Sequence, residues 1–236
     1  MKENLSNEVQ TNAMAEKALS RRRFLTFTGG VVGAAVLLNS CDYRPNTVEP
    51  KSPTDDRINL GSGDVGILNY AYALEQLEAA FYTQVAANPY SGISSSELAL
   101  LSDIRDHEIA HREFFKAALG ANAIPGLEVD FSSINFSDRN SVLSTAKAFE
   151  DLGVSAYNGA GKLIVTADYL VLAGKIVSVE ARHAGYIRDL LNPGSFADGT
   201  VVDGNGLDLS REPMAVLDIA KVYLKSKLNA DNLPTS

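Results

Sequence analysis

Two stretches of this chain read Glu-x-x-His: Glu108-Ile109-Ala110-His111 and Glu180-Ala181-Arg182-His183. On a helix, residues i and i+3 share a face, with Cβ atoms about 5–6 Å apart. A carboxylate and an imidazole at that spacing can grip one cation from a single helix. Each pair is preceded by another glutamate, Glu75 before the first and Glu150 before the second. Both early glutamates have a tyrosine seven positions on, Tyr82 and Tyr157, two turns along the same face. The chain thus repeats one pattern: Glu, Tyr, then Glu-x-x-His. Four carboxylates buried without partners are very costly. Two divalent cations would cancel their charge and leave both imidazoles as neutral ligands.

The elements that must position these residues are helices. From Asp64 onward the apolar residues recur with a period of about 3.6 rather than 2. The pattern predicts long helices at about 64–87, 94–120, 138–164 and 167–191, and a shorter amphipathic one at about 211–228. Ser94 with Glu97 forms a capping box at the second start, and Gly120 marks its end. A longer connection with Pro125-Gly126 follows, and Asn192-Pro193-Gly194 stops the fourth helix. The midpoint between Glu75 and Glu108 falls at Ser91-Gly92, and that between Glu150 and Glu180 at Val165, both in predicted turns. Points equidistant from the turn of an antiparallel hairpin meet at one height. Each pair of glutamates therefore faces across its hairpin, and packing the hairpins together brings all six side chains to one level. Short, long, short connections suit an all-α four-helix bundle with one crossover plus a short C-terminal helix.

The segments LEQLEAAFY at 74–82, the Glu108 motif, FEDLGVSAYNGA at 149–160 and VEARH at 179–183 resemble the bacterial ferritin-like domain family that includes desiccation-related proteins. The resemblance covers roughly residues 64–230. It implies a ferritin-like four-helix bundle with Glu75, Glu108, Glu150 and Glu180 as carboxylate ligands. Glu108 and Glu180 would bridge, and His111 and His183 would each cap one metal. The cofactors implied are two Fe or two Mn ions, with redox chemistry on dioxygen, peroxide or Fe(II), as in a peroxidase, catalase or ferroxidase. Whether the site turns over stays open in the sequence. A second reading keeps the bundle as a non-catalytic stress or desiccation protein. A third starts from His107-Glu108-Ile109-Ala110-His111, which is also HExxH, the zinc hydrolase signature. That reading leaves Glu75, Glu150 and the second Glu-x-x-His without a role.

Other residues near the pattern carry blander expectations. Glu78 lies one turn after Glu75, where the third helix has Gly153, and is expected as a solvated or supporting carboxylate, an extra ligand or part of an ion path. Tyr82 and Tyr157 are expected chiefly as core packing, with hydrogen bonds to ligands or the carrying of an oxidising equivalent as the alternatives. Gly153, Gly159 and Gly161 are expected to allow close helix contact.

The first 41 residues read as an address. Ser20-Arg21-Arg22-Arg23-Phe24-Leu25 resembles a twin-arginine export signal, and Thr26 to Leu38 is apolar but short for a bilayer, which needs about 20 residues. Leu38-Asn39-Ser40-Cys41 resembles a lipoprotein box, with Cys41 as the lipidated residue. Residues 42–63, with Pro45, Pro50 and Pro53, read as a flexible tether, 64–192 as the bundle, and 193–236 as a loop and helix packing on it. The expected location is the periplasm or cell envelope, anchored through lipid. Lys and Arg number 21 against 29 Asp and Glu, a net charge of −8, which makes nucleic acid a poor partner. The expected partners are a small oxidant or metal ion, the membrane through the anchor, and a second copy in a homodimer. With Cys41 the single cysteine, disulfides, Cys-ligated zinc and iron–sulfur clusters are excluded from the folded part.

Overall fold

Helix signals in the sequence become caps and turns in the computed structural model, which describes residues 55–235. The signal-like segment, Cys41 and the first part of the tether lie outside the described residues. Four long helices follow one another: α1 (Gly63–Ala87), α2 (Ser95–Leu119), α3 (Arg139–Gly161) and α4 (Ala167–Leu191). The third stops short of the expected 164, at Gly161. Ser94 caps α2 by accepting from the Glu97 amide, and Asp138 caps α3 by accepting from Ser141. The Glu97 side chain, 12% exposed, accepts two bonds from Arg139 instead, at 2.6 and 3.1 Å, which ties α2 to α3. Gly120 ends α2 at φ 54°, a left-handed conformation that favours glycine.

The hairpins α1–α2 and α3–α4 pack together with the site between them. Asp64, at the start of α1, accepts from the backbone amides of Val165 and Thr166 at 2.8 and 2.9 Å. This satisfies open amides at the α4 N-terminus and fixes the height of one hairpin against the other. Helix α1 is buried almost all round, because the crossover 120–138 and the C-terminal segment run over its outer side. Asn69, 2% exposed, donates to Leu60 and Asn122 carbonyls and accepts from the Ile124 amide. Gln76 accepts from the Leu127 amide. The crossover backbone thus finds its hydrogen bonds on two polar side chains of an otherwise apolar helix.

The C-terminal segment differs from the sequence expectation. The short helix α5 covers Pro213–Ala220 rather than 211–228. Proline at its first turn sets the start. A 3-10 turn at Lys221–Tyr223 then gives way to an extended strand, β2 (Leu228–Asn229), paired in parallel with β1 (Ile58–Asn59). The amides of Lys225 and Ser226 also bond to the Glu128 carbonyl, which pulls the chain out of helix. Residues 58–63, read from sequence as the end of the tether, are folded: Leu60 is fully buried and its amide bonds to Asn229.

The loop 193–212 is held by Arg188, 1% exposed. Its guanidinium pairs with Asp151 and Asp198, both at 2.6 Å, and bonds to Thr200 and the Ser195 carbonyl. The loop then passes Gly159 so closely that a Cβ there would lie 1.8 Å from the Arg211 carbonyl oxygen. Gly159 thus allows a loop, not a helix, to approach. Gly159→Ala is expected to destabilise the fold by about 1–3 kcal/mol, because backbone rather than a flexible side chain must move. Its thermal midpoint should fall, and proteolysis near 205–212 should quicken; an unchanged midpoint would refute the contact. Among the described residues no helix is long and apolar enough to cross a membrane.

Candidate metal centre

Glu75 stands on α1, Glu108 and His111 on α2, Glu150 on α3, and Glu180 and His183 on α4. The structure brings all six together midway along the bundle. The four glutamates are fully buried, and the His183 and His111 side chains are 5% and 13% exposed. Glu180 Oε1 lies 2.8 Å from His111 Nδ1, and its Oε2 lies 3.7 Å from His183 Nδ1. Glu108 mirrors it: Oε1 is 2.8 Å from His183 Nδ1 and Oε2 is 3.7 Å from His111 Nδ1. Each central glutamate therefore turns one oxygen to each imidazole. Glu75 Oε2 faces only His111, at 3.4 Å, and Glu150 Oε2 faces only His183, at 3.5 Å.

The tyrosines bind across the hairpins. Tyr82 on α1 donates to Glu150 Oε1 at 2.6 Å, and Tyr157 on α3 donates to Glu75 Oε1. As residue numbers rise on α1 they fall on α3, so these helices run antiparallel at the site. The equal spacing from glutamate to tyrosine on both helices then lets each hydroxyl reach the other helix's carboxylate. Tyr82 is fully buried and Tyr157 nearly so, at 8% exposed, against the core that Phe81, Phe115 and Phe149 line. The packing role expected from sequence holds, but it comes with a second role of fixing which oxygen of Glu75 and Glu150 stays free.

One further acid lies at the centre. Glu78 is 4% exposed rather than solvated, and its Oε1 lies 3.2 Å from where a Cβ of Gly153 would stand. The missing side chain at Gly153 is the sequence signal for it: a large acid on one helix meets a glycine at the matching place on the other. His107 does not join the cluster. Its Nδ1 lies 2.9 Å from His183 Nε2, and the rings are within 7° of parallel.

Burial and mutual repulsion dominate the electrostatics. Burial, then the field of Glu108, Glu180, Glu150 and Glu75, pushes Glu78 well above the usual carboxylate range. Burial and Glu180 likewise raise Glu75, and burial raises Glu150 to about 7 against the pull of His183. Burial alone would lower the two histidines, but the surrounding carboxylates raise each to about 12. Burial would raise Glu180 too, yet contact with both imidazoles holds it at about 2.

The donor set fits divalent cations. Six buried carboxylate oxygens and two imidazole Nδ1 atoms have no hydrogen-bond partner: Glu75 Oε2, both of Glu108, Glu150 Oε2, both of Glu180, and those of His111 and His183. Buried polar atoms are rarely left so, and eight in one place mark a site built for something that accepts lone pairs. They form two overlapping quartets that could each hold a metal ion, Glu75–Glu108–His111–Glu180 and Glu108–Glu150–Glu180–His183, with ligand atoms within 4.8 Å of one another. No curated protein matches the chain. A family model described as a ferritin-like domain matches residues 63–193, the span that carries all four long helices and all six clustered side chains. The fold, the cluster and that match agree, and the chain belongs to the ferritin-like domain family.

Proposed function

We propose that this chain holds two iron or two manganese ions in a carboxylate-bridged centre and uses them for redox chemistry on dioxygen, peroxide or Fe(II). One observation carries the reading: the two quartets share Glu108 and Glu180, each with one oxygen toward either imidazole. Such a metal pair, when bound, supplies reversible one-electron change beside a Lewis acid. Mixed carboxylate and imidazole donors suit iron or manganese, although affinity alone favours copper or zinc.

The chain's own residues would do the rest. Glu108 and Glu180 would contribute to holding both cations, and Glu75 and Glu150 would each contribute to holding one. Tyr82 and Tyr157 keep the outer carboxylates from rotating. The surrounding aromatic core keeps bulk water away. The zinc hydrolase reading needs His107 and His111 on one ion, whereas His107 faces His183 from outside the cluster. We further propose that the chain works outside the cytoplasm, tethered through Cys41; residues 20–41 support this.

Elemental analysis of protein recovered from the native cell envelope tests both parts. About two Fe or Mn per chain is expected from the shared quartets. One Zn would favour the hydrolase, and no metal would favour a non-catalytic stress protein. Absence from the envelope fraction would overturn export.

A further inference from the structure

His183 is held from two sides. Its Nδ1 lies inside the cluster, 2.8 Å from Glu108 Oε1, and its Nε2 lies 2.9 Å from His107 Nδ1. His111 is placed alike on the inner side, with Nδ1 2.8 Å from Glu180 Oε1. On its outer side, however, no protein hydrogen bond reaches its Nε2 among the described residues, and the side chain is 13% exposed. The asymmetry is already present in the repeat. His107 immediately precedes Glu108, and Val179 stands at the matching place before Glu180. Valine cannot accept or donate, so only one of the two imidazoles has a polar support.

The tautomers follow from that contact. A cation at Nδ1 of His183 needs the lone pair there, so the neutral ring carries its one hydrogen on Nε2. With His107 Nδ1 at 2.9 Å, that hydrogen is donated to His107, which accepts through its own lone pair. The bond fixes both the ring orientation and the ligating nitrogen. His111 has no such protein partner on its outer side, where its partly exposed ring is left to exchangeable solvent and either tautomer is open to it. Supports of this kind are worth roughly 10–100-fold in metal affinity.

Resting on the dimetal reading above, we infer that His107 is a positioning residue that makes the two cation positions unequal. The position of Glu108, Glu150, Glu180 and His183 is the tighter and fills first. The position of Glu75, Glu108, Glu180 and His111 fills second.

Cobalt(II) is the probe, titrated without oxygen into chelator-stripped protein and followed by calorimetry and by its visible absorption. The wild-type chain should take up two ions in steps separated by about 10–100-fold. His107→Val should weaken the tighter step by about that factor and leave the weaker one in place. His107→Asn should restore it, because its Oδ1 stands where the imidazole Nδ1 stands and accepts the same hydrogen. His107 is exposed and contributes one hydrogen bond to His183, so the metal-free melting midpoint should fall by no more than about 1–6 °C in His107→Val and hold in His107→Asn. Two equal steps in the wild type would overturn the inference and spare the dimetal centre. So would a tight step that survives in His107→Val, an equal loss in both steps, or failure of His107→Asn to rescue. Uptake of fewer than two ions by the wild type would overturn the dimetal reading and the inference with it.

Discussion

If the chain holds the proposed metal pair, Glu108→Ala or Glu180→Ala should strip both cations, whereas Glu75→Ala or Glu150→Ala should strip one. The expectation follows from membership of the quartets. Glu108 and Glu180 belong to both, while Glu75 and Glu150 each belong to one. Removing a mere support of a ligand costs about 10–100-fold in affinity, so removing a shared ligand should cost more than about 100-fold at each position. A folding defect is a weaker explanation of such a loss here. Glu108 is fully buried among like charges, so deleting it relieves repulsion while leaving a cavity. Glu180 is held by both imidazoles instead, so its deletion also removes a favourable contact. Glu180→Gln separates the two effects, since it keeps the volume and removes the charge. The measurement is metal per chain after loading and desalting, beside the melting midpoint in chelator. Full loading of either bridging variant would defeat the assignment, and so would loss of both ions in Glu75→Ala.

Much of this arrangement was legible because helical periodicity turns sequence spacing into height. The separations between Glu75 and Glu108 and between Glu150 and Glu180 straddle real turns, and the four carboxylates meet. Tyr82 and Tyr157 were visible as a repeat, but their partners depend on α1 and α3 being antiparallel, which the local pattern does not state. Glu78 stayed open between a solvated acid, a supporting carboxylate and an extra ligand, because the sequence alone does not show that it turns inward toward Gly153 and the other carboxylates. Nor does it show that α1 is covered on its outer side by the crossover and the C-terminal segment. That cover also explains the shorter α5. Its sequence stays amphipathic past Ala220, but pairing of Leu228–Asn229 with Ile58–Asn59 across the length of the chain overrides the local preference. The loop pinned by Arg188 was illegible for the same reason: nothing local to Arg188 says that Asp198 and Thr200 will fold back onto it.

Removing the metal should lower the melting midpoint, and the gap between loaded and stripped protein should widen as pH rises from 5 to 8. The stripped protein must balance its buried carboxylates with protons. His111 and His183 are raised above the ordinary 6.5 to about 12, so the stability they contribute is full below about pH 6.5 and is lost as pH climbs toward 12. Glu75 and Glu108 are raised above 4.5, and Glu150 to about 7; their protonated forms likewise favour the fold at low pH and cease to as pH rises through the folded values. Glu180, held at about 2, acts the other way, but its contribution is lost only as pH falls from 4.5 toward 2, below this window. Loading reverses the dependence of the other five groups. Bound ligands must be deprotonated, so binding expels protons and acid competes with the metal. At free metal about 1,000-fold above Kd, one site adds about 4.1 kcal/mol. At about 2–4 °C per kcal/mol for a chain of this size, that is a rise of about 8–16 °C per site. Calorimetry at pH 7 in buffers of differing ionisation enthalpy should record release of at least the two imidazole protons. A gap that stays constant with pH, or loading without proton release, would mean that the cation binds elsewhere than among these imidazoles and carboxylates.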